Sequence, residues 1–388
     1  MKYPFIIIGS VAIVAVIGAA VGFYFFLFYT HTAPAHTAPN PFSEASSSKG
    51  FDALAAEKAA QASIATTTPG VSTANVRLVT LRKTIGALGL VDGTVRFVES
   101  GTGHIYQVDS TGNETKLSGT TFPGARSAVW STEGTRVAIT REVDTSTLET
   151  FNGVIQKNDT GTMTLEGSVI LGTVRNVAYS ESGDILYYTQ ENTHGGVEGI
   201  SKNLKTNKTQ TLFTTPLHDI VVAWEPTIII TTKPSVSLPG FAYTKDAARI
   251  TDSMNALSTK ELGATVLFSG QSGNSLISWL QTGAHTVALP RGVLPEKCDH
   301  TGNILICAVP SNFEAGSYPD RWYRGEITYN DALWQFDMNT GSSTPLFDFE
   351  GHTNKQIDVR SIAATKTGYL LEGKSDDSLW FVQNPLTQ

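Results

Sequence analysis

Trp130-Ser131-Thr132-Glu133-Gly134, running into Thr135-Arg136-Val137-Ala138-Ile139, decides how this chain reads. An aromatic residue ends one apolar run, a short polar turn reaches a glycine, and a second alternating run follows. The same order returns at Tyr179-Ser180-Glu181-Ser182-Gly183, before Asp184-Ile185-Leu186-Tyr187-Tyr188. Looser copies begin at Gly89, Trp224, Leu257, Cys298 and Ala364. From Gly89 to Ala364 the pattern recurs about every 46 residues, within the period of propeller blades.

Each copy carries a second alternating pair. Ile105-Tyr106-Gln107-Val108 passes through Asp109-Ser110-Thr111-Gly112 into Glu114-Thr115-Lys116-Leu117. Leu333-Trp334-Gln335-Phe336 passes through Asp337-Met338-Asn339-Thr340-Gly341 into Thr344-Pro345-Leu346-Phe347. Similar pieces lie at 154–165, 200–213, 241–251 and 277–289. Gly, Asn and Asp tolerate the positive φ that tight hairpin turns require. The pattern predicts an all-β β-propeller of four-stranded antiparallel blades, with strands A to D from the centre outward. Seven blades fit the copies; the loose ones leave six or eight open. The last unit has an A–B hairpin near 361–373 and a C strand at Leu379-Trp380-Phe381-Val382, then ends. Val76-Arg77-Leu78-Val79-Thr80-Leu81 is expected to supply the missing outer strand and close the ring, which limits exposed edges.

The Trp-Ser-x-x-Gly repeats, over roughly residues 76–385, resemble those of TolB-type, WD40-like (PD40-like) bacterial propellers. Such repeats usually carry Pro-Asp between Ser and Gly, where this chain has Thr132-Glu133 and Glu181-Ser182. The resemblance implies a fold and no particular role. Three further stretches are similar to membrane-anchored bacterial propeller proteins that have no assigned activity. They are Pro295-Glu296-Lys297-Cys298, Cys307-Ala308-Val309-Pro310 and the run Tyr318-Pro319-Asp320-Arg321-Trp322-Tyr323-Arg324-Gly325.

The other end of the chain has a different character. Pro4 to Tyr29 contains 26 residues and no charge. That is enough to span a hydrocarbon core of about 30 Å with some tilt. Lys2 precedes it and no Lys or Arg follows until Lys49, which predicts a cytoplasmic N-terminus and an extracytoplasmic C-terminal domain. A cleaved signal peptide is the alternative, since Ala33-Pro34-Ala35 loosely fits a cleavage site; the apolar run is long for one. Residues 30–75 are biased toward Ala, Thr, Ser and Pro and read as a linker without its own core. The expected domains are an anchor at 1–29, a linker at 30–75 and a propeller at 76–388.

Net charge is −7, which offers no strongly basic surface for nucleic acid. A Gly-rich nucleotide loop is absent, and no cofactor or metal is implied. His31 and His36 belong to the near repeat of the linker. The two cysteines, Cys298 and Cys307, flank Gly302-Asn303. With that pair in a two-residue turn, Thr301 faces Ile304, His300 faces Leu305, Asp299 faces Ile306, and Cys298 faces Cys307. The pair then falls on a non-hydrogen-bonded site, where Cα atoms are closest. A cross-strand disulfide is expected outside the cytoplasm. Two buried free thiols are the alternative. A zinc site lacks its second Cys/His pair.

The A–B and C–D turns are short, whereas long segments join strands B and C: 142–153, 191–199, 231–240 and 310–330. B–C connections and D–A links emerge on one face of a propeller, so this loop face is the expected functional face. The longest insertion holds the candidate binding residues Tyr318, Asp320, Arg321, Trp322, Tyr323 and Arg324, with Glu326 and Tyr329 close by. Aromatic residues and Arg commonly anchor interfaces. The bland alternative is a structured flap in which Trp322 and Tyr323 pack on the disc and Asp320 pairs with Arg324. No Gly-x-Ser-x-Gly elbow is present; Gly270-Gln271-Ser272-Gly273-Asn274 lacks the final Gly and reads as a B–C turn. His194-Gly195-Gly196 reads as a loop tip, and Asp358, Asp376 and Asp377 as solvated turn residues. No catalytic residue is assigned. The expected function is a membrane-anchored module binding an envelope or extracellular protein, or a glycan, through the loop face. The alternative is a carbohydrate-active hydrolase or lyase with its site at the channel mouth.

Overall fold

The computed structural model describes residues 76–384 except 145–146 and 312–317. The expected anchor at 4–29 and linker at 30–75 lie outside the described residues. No helix among the described residues is long and apolar enough to cross a membrane.

Seven antiparallel sheets follow one another around the ring. Blade 1 contains β2 (Thr84–Gly89), β3 (Val95–Glu99), β4 (Ile105–Val108) and β5 (Glu114–Ser118). Blade 2 contains β6 (Ala125–Trp130), β7 (Arg136–Glu142), β8 (Leu148–Lys157) and β9 (Met163–Ile170). Blade 3 contains β10 (Val174–Tyr179), β11 (Ile185–Glu191), β12 (Val197–Asn203) and β13 (Thr209–Thr215). Blade 6 contains β22 (Cys298–Thr301), β23 (Ile304–Pro310), β24 (Asp331–Asp337) and β25 (Ser343–Asp348). In blade 7, β26 (Val359–Ala364), β27 (Gly368–Gly373) and β28 (Leu379–Gln383) are completed by β1 (Val76–Thr80). The register Val76↔Val382 and Leu78↔Trp380 closes the ring with N- and C-terminal pieces in one sheet.

Two blades depart from the four-stranded expectation. Blade 4 has β14 (Ile220–Ala223), β15 (Ile229–Thr232) and β17 (Ala242–Thr244), with only a bridge between Tyr243 and Arg249 in place of a fourth strand. Its B–C loop sends β16 (Pro239–Gly240) onto the inner edge of blade 5, which contains β18 (Met254–Leu262), β19 (Thr265–Ser272), β20 (Ser275–Thr282) and β21 (His285–Leu289). The copy placed at Leu257 is also corrected. Strand β18 runs on to Leu262, and its turn is Gly263-Ala264.

The turn chemistry explains why the repeats fold locally. The buried hydroxyls of Ser131 and Ser180 accept the N–H groups of Arg136 and Ile185, both at 3.1 Å, and close the A–B turns. Gly134 and Gly183 supply φ of 68° and 70° in the same turns. In the C–D turns an Asp or Asn does the equivalent work. Asp109 accepts from Thr111 N and Asn113 N, and Asn158 accepts from Thr160 N and Thr162 N. Apolar side chains of successive blades then pack together. Ile306, Leu333 and Phe347 of blade 6 meet Val359, Ile362 and Leu371 of blade 7 in one buried cluster. Each such aliphatic side chain contributes about 1.5–3 kcal/mol on burial. Indole nitrogens stitch neighbouring inner strands: Trp130 Nε1 donates to Gly86 O at 3.1 Å, and Trp224 Nε1 to Asn176 O at 2.7 Å.

Candidate functional site

The insertion between β23 and β24 forms a flap whose centre is a single helical turn, α1 (Asp320–Tyr323). Three of its aromatic residues are buried. Tyr318 and Trp322 are each 2% exposed and Tyr329 8%, packed with Leu276 and Leu294. The rings of Tyr318 and Tyr329 meet edge to face at 5.2 Å. Burial of this kind leaves Tyr318 and Trp322 little surface to offer a partner, as in the structured-flap alternative. The expected Asp320–Arg324 pair is not formed. The Asp320 carboxylate turns to blade 4, accepting the N–H of Val236 at 3.0 Å and the hydroxyl of Ser235 at 3.3 Å. Arg324 and Arg321 instead share Glu326, the latter at 3.4 Å.

On its other side the flap reaches blade 7. Trp322 Nε1 donates to both oxygens of Asp358, at 2.8 and 2.9 Å, and Lys374 Nζ donates to the Trp322 carbonyl. Asp358 is therefore no solvated turn residue; it is 2% exposed. Beneath the indole lies Lys297, fully buried, its ammonium 2.8 Å from Asp331 Oδ2 and 2.9 Å from Asp358 Oδ1. The Trp322 ring covers that ammonium at 4.5 Å. Asp331 Oδ2 also accepts the N–H of Val359 at 2.7 Å. Burial raises the Asp331 carboxyl above its ordinary range, although Lys297 pulls it down. Buried charges of this sort persist only when paired and hydrogen-bonded. Sequence reading passed over Lys297 and Asp331 and misread Asp358. The three lie 34 and 61 residues apart, and no local pattern marks the pairing.

The flap thus straps the loop face from blade 4 to blade 7. At its edge a cavity of about 690 Å³ opens at the mouth of the central channel. Inner strands supply its wall, through Val221 of β14, Ser258, Thr259 and Lys260 of β18, and Ser361 of β26. Thr231, Lys233 and Pro234 come from blade 4, Glu296 from the link into blade 6, and Tyr323 and Arg324 from the flap. Of the six candidate binding residues, the structure brings Tyr323 and Arg324 to this cavity. Tyr318, Trp322 and Asp320 hold the flap in place, and Arg321 sits on its rim. Tyr323 is 40% exposed.

Cys298 and Cys307 face each other across β22 and β23 with the register counted from the Gly302-Asn303 turn, and their sulfurs are bonded, with Cα atoms 4.1 Å apart. The Gly270–Asn274 segment is the end of β19 and its turn, with Ser272 opposite Ser275. His194 sits in a loop organised by Asn192, whose Oδ1 accepts the N–H groups of His194 and Gly196. Among the described residues, no group of three His, Cys, Asp or Glu side chains is placed to hold a metal ion.

No protein-family model matches the chain, and no curated protein matches its sequence. Solved structures do. The β-propeller domain of the Trilobed protease from Pyrococcus furiosus is 12% identical, with a TM-score of 0.53, covering 79% of this chain and 95% of that one. Oligogalacturonate lyase from Vibrio parahaemolyticus is 9% identical, with a TM-score of 0.54, covering 82% of this chain and 95% of that one. TolB from Acinetobacter baumannii is 14% identical, with a TM-score of 0.40, covering 62% of this chain; the chain spans 59% of that TolB. Identities this low speak to fold alone. The resemblance read in the Trp-Ser-x-x-Gly repeats is one of fold.

Proposed function

We propose that this chain is a binding module, held at the cell envelope by residues 4–29, that engages an extracytoplasmic protein or glycan through its loop face. The observation that carries the reading is the strapped flap. It buries Tyr318 and Trp322 as ballast and presents Tyr323 and Arg324 beside an open cavity. The same face gathers exposed apolar side chains. Leu81, Val143, Leu171 and Leu238 are 95%, 54%, 85% and 67% exposed, and all lie in B–C loops or D–A links. Val91 is the exposed counterpart on the opposite face.

The second reading is a hydrolase or lyase acting on surface carbohydrate at the channel mouth. The cavity favours it, since its size suits a small ligand. Glu296 is the one carboxylate among its lining residues, whereas hydrolysis of a glycosidic bond commonly uses a facing pair.

The test is crosslinking capture from native membranes with the full chain, comparing wild type with Tyr323→Ser and Leu238→Ser. Both positions are exposed, so folding is expected to survive. A partner captured by wild type and weakened in either variant supports the module. An identical set of partners in all three moves the interface off this face. No partner in any of them turns the question to the enzyme reading.

A further inference from the structure

We infer that the channel-mouth cavity is a binding site for an acidic saccharide, a sugar ring bearing a carboxylate. This rests on the binding-module reading and supplies its ligand chemistry. Charge points the same way. Lys233, Lys260 and Arg324 line the cavity against one carboxylate, Glu296, which the Tyr323 hydroxyl already engages. Lys233 is exposed and makes no ion pair among the described residues. Lys260 donates to the neutral carbonyl of Cys298. Asp299, which feels Lys260 electrostatically, uses its oxygens on the N–H groups of His300 and Ala364. Arg324 shares Glu326 with Arg321 and also feels Asp320, so the flap edge is balanced and the positive excess at the cavity comes from Lys233 and Lys260.

The rest of the wall suits a hydroxylated ring better than a bare anion. The Ser258 hydroxyl is buried, lines the cavity and has no hydrogen-bond partner among the described residues. An unmet buried hydroxyl is costly, and a ligand hydroxyl would satisfy it. The Thr231 and Thr259 side chains also line the cavity, their hydroxyls hydrogen-bonded to each other at 2.8 Å. Val221, Pro234 and the Tyr323 ring offer carbon surface for the C–H face of a sugar. The volume, about 690 Å³, is within the usual range for small-molecule sites and larger than a simple inorganic anion needs.

Calorimetric titration of the detergent-solubilised full chain with glucuronate, its methyl ester, glucose and acetate tests this. Glucuronate is expected to bind, and the uncharged ester and glucose about tenfold or more weakly. Lys233→Gln should weaken glucuronate about tenfold with an unchanged unfolding midpoint, and added salt should weaken wild-type binding. Equal binding of glucuronate and its ester would overturn the anionic site. Acetate binding as tightly as glucuronate would overturn the saccharide class. No saturable glucuronate binding to wild type would overturn the inference entirely. Partner capture, scored separately through Tyr323→Ser, keeps that failure distinct from failure of the module itself.

Discussion

Trp322 Nε1 lies 2.8 and 2.9 Å from the two carboxylate oxygens of Asp358, so a residue inserted in blade 6 is tied to the residue that precedes the inner strand of blade 7. The bond fixes one side of the flap; Asp320, held by Val236 N at 3.0 Å, fixes the other. Tyr323 and Arg324 follow directly in the chain and are positioned by these two ties. Any binding through them depends on groups that never touch the ligand.

Trp322→Phe keeps most of the ring and removes the donor. Hydrogen bonds to charged groups contribute about 1.5–3 kcal/mol, and that loss is the expected destabilisation. Urea unfolding measures it, and limited proteolysis should cut first within the flap. An unchanged midpoint together with an unchanged cleavage pattern would show that the tie is dispensable.

Lys297→Met leaves two carboxylates buried without their cation. Breaking a buried pair by removing one partner costs about 3–5 kcal/mol. Adding Asp331→Asn to Lys297→Met should recover part of the loss, because one of the two orphaned charges is gone. A double-mutant cycle by chemical denaturation reads the coupling between the two residues. Strict additivity would mean the pair does not act as a unit.

Glu261 gives a pH dependence. Burial, the largest influence, raises its carboxyl from 4.5 to about 7; backbone N–H groups of Glu225 and Trp224 oppose the rise, and the Glu225 carboxylate adds to it. The folded pKa is above the unfolded one. The contribution is therefore fully present below about 4.5 and is lost as pH rises through about 7. Glu261→Gln should flatten the fall in thermal midpoint between pH 5 and 8 and leave the variant more stable than wild type at pH 8. Partial exposure limits the effect to on the order of 1 kcal/mol. Parallel pH profiles for the two proteins would remove the assignment.

The Cys298–Cys307 bridge closes a short loop already held by β22 and β23. Loop-closure entropy sets a ceiling of about 3 kcal/mol on its contribution, and strand pairing lowers it further. Mass spectrometry without reductant should find no free thiol. Dithiothreitol should lower the unfolding midpoint modestly without abolishing the fold. Two free thiols in protein isolated from its native source would rule the bridge out there.

Local features were the legible ones. The Ser131 and Ser180 turns, the Asp109 and Asn158 turns, the outer strand at Val76–Thr80 and the Cys298↔Cys307 register all follow from residues within a few positions or from strict alternation. Blade 4 was harder to read. Its loop leaves the blade and pairs Gly240 with Met254 of the next, which no alternation in its own sequence announces. The candidate cluster at 318–324 lies in the B–C insertion of blade 6, and two of its three aromatic members, Tyr318 and Trp322, turn inward. Composition says that an aromatic residue seeks contact and leaves open whether the contact is the protein's own core.

The sequence by itself determined the repeat, most of its tight turns, the register of the Cys298–Cys307 hairpin and the strand that closes the ring, because hydrogen bonding in a tight turn and alternation along a strand are settled within a few residues. Only the tertiary structure decided which side of the flap is buried, that Lys297 lies between Asp331 and Asp358, and that Lys233, Lys260 and Arg324 converge on one cavity. Those relations join residues dozens of positions apart. They exist only once the chain has folded around the ring, where exclusion of water makes each buried charge depend on a partner distant in sequence.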